Sequence, residues 1–95
     1  NVERDYELVI LEITGRLDTT TAPQLEAELN QSIAGVEKLV LDFTALEYIS
    51  SAGLRVILKA QKAMSAKGGM KLLHVNETIM EIFEITGFSD ILTIE

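Results

Sequence analysis

Two adjacent serines, Ser50 and Ser51, occupy the position in this sequence that best suits chemistry. They lie between the end of a strand-like run and a helical pattern that begins near Leu54. Ligands of open α/β folds collect at the carboxyl ends of strands, and the first turn of a helix exposes unpaired N–H groups and a partial positive charge. A serine there can cap the helix, or it can accept a phosphate in a favourable field. The residue types leave both roles open.

Other catalytic and cofactor-binding arrangements are missing from the sequence. A serine hydrolase elbow needs glycine two residues before the nucleophile, but tyrosine and isoleucine stand there for the two serines. His74 is the sole histidine, and cysteine is absent, which excludes the usual zinc and iron–sulfur ligand sets. The two glycines at 68 and 69 lack the lysine of a phosphate-binding loop. We therefore expect neither enzymatic activity nor a bound cofactor or metal.

The charge of the chain is negative and unevenly distributed. Its 95 residues carry 15 acidic and 8 basic side chains, a net charge of −7, which argues against binding to nucleic acid or to an anionic membrane. Residues 48–76 contain five basic and no acidic side chains, whereas residues 77–95 contain five acidic and no basic ones. The apolar runs are too short to cross a membrane, and no signal sequence begins the chain. These features favour a soluble protein that binds another protein and is not inserted into a membrane; a cytoplasmic location is expected only from the family resemblance described below.

Three apolar, partly β-branched runs predict the central strands of a sheet. These runs are residues 7–13, 38–43 and 70–75, and residues 2–6 predict an additional edge strand. The nearly continuous apolar character of the first run indicates a strand that is covered on both faces. The polar segments at 15–21 and 44–47 are expected to be loops.

Helical spacing predicts three helices between and after these strands. The first contains Pro23 in its first turn, the second covers residues 54–66, and the third follows Asn76 as its N-cap. The order of elements predicts one α/β domain over residues 1–95, with a mixed sheet of four or five strands that is parallel at its centre. At least three helices should pack on this sheet. Four side chains are expected in the core: Leu41, Ile57, Leu72 and Phe83.

The sequence around the two serines resembles a known family signature. Residues 41–44 read Leu-Asp-Phe-Thr, and residues 48–55 read Tyr-Ile-Ser-Ser-Ala-Gly-Leu-Arg. Together they closely resemble the signature of STAS domains, the family of bacterial anti-sigma factor antagonists and of the cytoplasmic tails of sulfate transporters. Three further segments resemble family elements in the same order: Gly-Arg-Leu-Asp at 15–18, Lys-Gly-Gly at 67–69 and Thr-Gly-Phe at 86–88. The resemblance covers nearly the whole chain.

The resemblance implies a phosphorylation switch. In anti-sigma factor antagonists the unphosphorylated domain binds an anti-sigma factor that is itself a serine kinase, and the sigma factor is thereby freed. Phosphorylation by that kinase ends the interaction, and a serine phosphatase restores it. Alignment on Gly53 makes Ser51 the modified serine, with Ser50 in reserve because it replaces the acidic residue that usually precedes this position. The following hydroxyl residue of the family pattern is replaced by Ala52.

The resemblance also indicates where the partner binds. Asp18 matches the family's acidic loop residue near the switch serine. The face of the second helix that bears Arg55 and Lys59 should lie beside it if both loops lie at the same end of the sheet. The expected partner surface comprises Asp18, Thr19, Thr20, Ser50, Ser51, Arg55 and Lys59. The alternative is a non-catalytic STAS subunit that binds a transporter ATPase, in which Ser51 only caps the helix; a transporter tail is a third possibility.

Overall fold

A computed structural model of the chain describes residues 2–4 and 8–95. In this part of the chain, seven strands, three α-helices and one 3₁₀ turn follow one another. The strands are β1 (Val2–Arg4), β2 (Leu8–Glu12), β3 (Gly15–Leu17), β4 (Lys38–Asp42), β5 (Leu46–Ile49), β6 (Met70–Leu73) and β7 (Thr93–Ile94). The helices are α1 (Ala22–Ser32), α2 (Ser51–Ser65) and α3 (Glu77–Thr86), and the 3₁₀ turn is Phe88–Asp90. The predicted edge strand over residues 2–6 is present at 2–4. Residues 5–7 lie outside the described part; they include the end of this predicted strand and the first residue of the predicted central strand 7–13.

The main sheet has the strand order β1-β2-β4-β6-β7. Strand β1 is antiparallel to β2, whereas β2, β4, β6 and β7 run parallel to one another. Two parallel neighbouring strands need a long crossover connection. Helix α1 lies in the connection from β2 to β4, and helix α2 lies in the connection from β4 to β6. The predicted α/β fold, with a mixed sheet and a parallel centre, is confirmed.

The helices and one face of the main sheet enclose a single apolar core. Leu41 and Leu72 contribute from the sheet, and Ile57 and Phe83 contribute from α2 and α3. All four side chains are completely buried, as the sequence predicts. Truncation of one such side chain to alanine typically costs about 2 to 5 kcal/mol.

The prediction that the first central strand is covered on both faces is wrong. Along β2, Val9 and Leu11 are buried, whereas Leu8 and Ile10 on the other face are only half-buried. Neither of the half-buried pair belongs to the core or packs against it. The apolar stripes of the helices all pack on the face that bears Val9, so the opposite face of β2 gains only partial cover.

A second, two-stranded sheet is formed by β3 and β5, which pair in parallel. Strand β3 lies wholly, and β5 partly, in segments that the sequence predicts as loops, and that prediction is wrong for Gly15–Leu17 and for Leu46 and Glu47. A three-residue strand inside a polar segment is too short to show a period-two pattern. Leu17 and Ile49 anchor the small sheet because both side chains are buried in the core. The small sheet carries the two loops of the predicted site.

Candidate functional site

The start of helix α2 is built on Ser50. This residue has extended backbone, with φ −99° and ψ 176°, and its Oγ accepts a long hydrogen bond of 3.4 Å from the N–H of Gly53. Its own N–H donates to the carbonyl oxygen of Leu17 at 2.8 Å, which continues the pairing of β5 with β3. Its carbonyl accepts from the N–H of Leu54. Ser50 is therefore both the last residue of this strand to hydrogen-bond across the small sheet and the N-cap of α2.

Ser51 is the first residue of α2 and is exposed. The helix starts three residues earlier than the predicted Leu54, because the Ser50 cap begins it ahead of the first apolar position. Within residues 8–95, the Ser51 hydroxyl makes no hydrogen bond. The two serines thus differ in their surroundings: the Ser50 oxygen faces the helix backbone, and the Ser51 oxygen faces solvent at the positive end of the helix.

Gly53 allows α2 to begin directly on the small sheet. A Cβ atom at this position would lie 2.7 Å from Cγ of Leu17 and 2.9 Å from Cγ1 of Ile49. Both of these side chains are buried, so neither can withdraw without disturbing the core. The absence of a side chain at Gly53 therefore lets the serine loop pack closely against the strand that leads to Asp18.

Asp18 organises the loop between β3 and α1. Its Oδ1 accepts from the N–H groups of Thr20 and Thr21 at 3.0 and 3.1 Å, and from the Thr21 hydroxyl at 3.3 Å. These hydrogen bonds, the Thr21 N–H first among them, hold the pKa of the Asp18 carboxyl below its usual value. The carboxylate is thus directed into its own loop, although its side chain remains 31% exposed.

The structure brings most of the predicted site residues to one region. Thr19, Arg55 and Lys59 line a shared groove between α1 and α2, together with Ala52 from the first turn of α2. Lys59 is paired with Glu26 of α1 at 2.8 Å. The hydrogen bond from Ser50 to Leu17 joins the serine loop to the loop of Asp18 and the exposed Thr20.

Arg16 and Tyr48 belong to the same region but were missed by the sequence analysis. Cζ of Arg16 lies 4.4 Å from the centroid of the Tyr48 ring, and its Nε lies 3.7 Å from Oδ2 of Asp18. Their partnership depends on the register of β3 against β5, which the sequence does not reveal. An aromatic residue two positions before Ser50 was the only available signal.

A second polar cluster lies where β4 and β6 end. Oδ1 of Asp42 accepts from the Thr44 hydroxyl at 2.6 Å and from the Thr44 N–H at 2.9 Å, and Nδ1 of His74 lies 3.0 Å away. The Thr44 hydroxyl, followed by its N–H and by His74, lowers the pKa of Asp42 to about 2. His74 follows the strand, with a left-handed φ of 59°, and its side chain is 63% exposed.

Two features of other protein classes are absent from the part of the chain that the structure describes. It contains no group of three or more histidine, aspartate or glutamate side chains placed to hold a metal ion. No helix there has the length and apolar character needed to cross a bilayer.

The comparison with known families decides the identity of the domain. The family model for the STAS domain matches residues 1–95. The chain belongs to the STAS domain family. The BtrV protein of Bordetella bronchiseptica is 40% identical to this STAS domain over 86 residues, which are 88% of this chain and 74% of BtrV.

A named relative places this STAS domain in the anti-sigma factor antagonist family, and solved structures share its fold. The anti-sigma-B factor antagonist of Listeria monocytogenes is 32% identical over 96 residues, covering 98% of this chain and 83% of that protein. The structure of the anti-sigma factor antagonist SpoIIAA in its unphosphorylated form matches with a TM-score of 0.84 at 22% identity, over 100% of this chain and 86% of the other. The phosphorylated form of Bacillus SpoIIAA matches with a TM-score of 0.76, over 100% and 89%.

Proposed function

We propose that this STAS domain is an anti-sigma factor antagonist of the cytoplasm whose unphosphorylated form binds an anti-sigma factor serine kinase and thereby frees a sigma factor. Phosphorylation of Ser51 by that kinase ends the interaction, and a serine phosphatase restores it. The domain itself catalyses nothing and needs no cofactor. The observation that carries the proposal is the exposed Ser51 hydroxyl at the start of α2, beside the loop of Asp18.

Ser51 suits modification better than Ser50. A kinase must bring the γ-phosphoryl group in line with the attacking hydroxyl oxygen, so that oxygen has to be accessible. The Ser51 hydroxyl is exposed, whereas Ser50 is half-buried and its oxygen accepts the N–H of Gly53. A phosphate on Ser51 also sits in the first turn of α2, where helix N–H groups and the helix dipole favour an anion.

The phosphate acts at the interface and leaves the fold intact. A phosphoserine carries about −1.5 to −2 charges at neutral pH. The positive end of α2 offsets much of the local cost in the free domain. A partner surface that fits against a small neutral hydroxyl would have to desolvate a bulky dianion, which is expensive without a paired cation.

The proposed partner surface is the one expected from the sequence. It contains Asp18, Thr19, Thr20, Ser50, Ser51, Arg55 and Lys59. Arg55 lines the groove between α1 and α2 and has no ion-pair partner within residues 8–95. Arg55→Glu should therefore slow association with the kinase and change its salt dependence.

The assignment of Ser51 is tested by mapping the phosphate. The wild-type chain, Ser50→Ala and Ser51→Ala are each incubated with the cognate anti-sigma kinase and ATP, and the products are analysed by mass spectrometry. We expect one phosphate on Ser51 in the first two and none in the third. Modification of Ser51→Ala at Ser50 would move the switch by one residue. No phosphorylation of any form, with tight binding to a transporter ATPase, would favour the subunit role.

The mode of action is tested with a charged variant. Ser51→Asp should unfold at the wild-type temperature but bind the kinase at least about tenfold more weakly, because about 1.4 kcal/mol of lost binding free energy is a factor of ten. Ser51→Ala is the matched control and should bind like the wild type. Affinity and thermal unfolding of the three proteins, measured in one buffer, check the prediction. Equal affinity for all three would contradict an electrostatic block at the interface.

A further inference from the structure

Arg16 and Tyr48 form an exposed pair directly in front of the two proposed partner loops. They stand opposite each other in the parallel ladder of β3 and β5. The next pair of that ladder, Leu17 and Ile49, is buried, and the chain then enters the Asp18 loop on one strand and the serine loop on the other. The small sheet thus holds the exposed pair in a fixed relation to both loops.

The pair is held in one arrangement before any partner arrives. The guanidinium group stacks on the Tyr48 ring at 4.4 Å, and its Nε faces the Asp18 carboxylate at 3.7 Å. The Arg16 side chain is nevertheless 63% exposed, and Tyr48 is 39% exposed. Stacking immobilises the guanidinium while its remaining N–H donors stay accessible to a partner. A donor fork that is already oriented loses less entropy when it binds a carboxylate.

An exposed large aromatic side chain needs an explanation in so small a domain. Tyr48 is among three large apolar side chains that stay exposed in the described part of the chain; the others, Ile85 and Ile91, lie in and beyond α3. The latter two lie outside the serine and Asp18 loops. Tyrosine and arginine are also, with tryptophan, the residue types that are enriched among those that dominate the binding energy of protein interfaces.

We propose that Tyr48 and Arg16 are the anchor of the partner surface, with the Tyr48 ring seated in an apolar recess of the kinase and Arg16 bound to a kinase carboxylate beside that recess. This inference rests on the proposed function. It adds two residues to the proposed partner surface and specifies which chemical groups the partner must present. The partner should present an acidic side chain at the edge of an apolar pocket. An exposed cation–π pair contributes little to folding stability, so the anchor can be removed without unfolding the domain.

The test measures the affinity of unphosphorylated variants for the anti-sigma kinase. Tyr48→Ala should weaken binding about 30-fold or more, and Arg16→Ala about tenfold, as is typical of interface anchors. The double variant should lose less than the product of the two factors, because each side chain orients the other. Tyr48→Phe keeps the ring and should bind within about threefold of the wild type. Glu47→Ala, an exposed neighbour on β5, is the matched control and should change nothing.

Thermal unfolding of every variant shows whether a loss of affinity reflects a loss of folding, and Arg16→Ala serves as the second probe should Tyr48→Ala unfold. If the wild-type chain binds and is phosphorylated while Tyr48→Ala and Arg16→Ala bind equally well, the anchor is wrong and the proposed function stands. If the wild-type chain neither binds the kinase nor is phosphorylated by it, the proposed function fails, and this anchor fails with it.

Discussion

Helices α2 and α3 both begin with a capping side chain, but the two caps are not equivalent. Asn76, at the start of α3, accepts from the N–H of Ile79 at 2.9 Å and donates to the carbonyl oxygen of Leu46 at 3.0 Å. Ser50, at the start of α2, accepts one long hydrogen bond of 3.4 Å. The Asn76 cap ties its helix to the small sheet through a side chain, whereas the Ser50 side chain reaches only its own helix.

The residue after each cap sharpens the contrast. Glu77 follows Asn76 and supplies a negative charge to the first turn of α3, where it complements the helix dipole. Ser51 follows Ser50, and the first turn of α2 contains no acidic residue. The start of α3 is thus electrostatically satisfied by the chain itself. The start of α2 is left available to an anion supplied from outside, such as the phosphate that we propose for Ser51.

The largest effect is expected from removing the stronger cap. Asn76→Ala should lower the free energy of unfolding by about 2 to 3 kcal/mol, because it removes a helix cap and also the donor to the Leu46 carbonyl. Urea unfolding of the wild type and the variant measures this difference. Asn76→Asp is the control that keeps the cap oxygen but not the amide donor, and it should fall between the two. Equal stability of all three proteins would show that Asn76 is not a stronger cap than Ser50.

A smaller loss is expected where α2 contacts the small sheet. Gly53→Ala should destabilise the domain by about 1 to 2 kcal/mol, since the added methyl group would overlap Leu17 and Ile49 in the core. At an unconstrained helix position the same change stabilises a protein. If α2 packs tightly against the small sheet, Gly53→Ala lowers the melting temperature. An increase in the melting temperature would show that it does not.

The polar cluster that precedes α3 should make the domain sensitive to acid. Asp42 has a pKa of about 2, lowered from 3.8, so its contribution to stability is complete above about pH 4 and is lost as the pH falls toward 2. We expect the difference in urea midpoint between the wild type and Asp42→Asn to shrink between pH 5 and pH 2.5. The comparison cancels the titration of the remaining carboxylates, including Asp18. A difference that stays constant across this range would mean that the pKa of Asp42 is the same in the folded and unfolded chain, so that its ionisation adds no stability.

The smallest effect is expected from removing the weaker cap. Ser50→Ala should cost about 0.5 kcal/mol, the low end of the range for N-cap substitutions, because the hydrogen bond that it removes is long. Calorimetric unfolding of this variant beside Asn76→Ala measures the contrast directly. Similar losses for the two would show that Ser50 caps its helix as firmly as Asn76 does.

The elements of the main sheet were predictable because their signals are local. The apolar runs that became β2, β4 and β6 are bounded by polar residues and separated by helical patterns, and Asn76 stands where an N-cap is expected. Burial of one face of β2 could not be read from the sequence, since the residues of both faces are apolar. That difference arises only when the helices pack on a single side.

The candidate site was predictable in its residue types and less so in its geometry. The family signature pointed to both serines, but only the structure shows that Ser50 turns toward the helix backbone and Ser51 toward solvent. Likewise, Asp18 could be placed in its loop, but not the inward direction of its carboxylate. Arg16 and Tyr48 are 32 residues apart in the chain, and their contact depends on a parallel register with a shift after Gly15. The local sequence contains no signal for a long-range pairing of this kind.

The small sheet makes the candidate surface a discontinuous epitope. Its parts come from the segments before α1 and before α2, and the hydrogen bond from Ser50 to Leu17 joins them. A synthetic peptide of residues 46–60 would contain both serines and Tyr48 but neither Arg16 nor the Asp18 loop, and it would lack the buried side chains that hold the helix in place. Under the proposed function such a peptide should be a poor substrate and a poor competitor, because the proposed partner surface is a folded surface and not a linear motif.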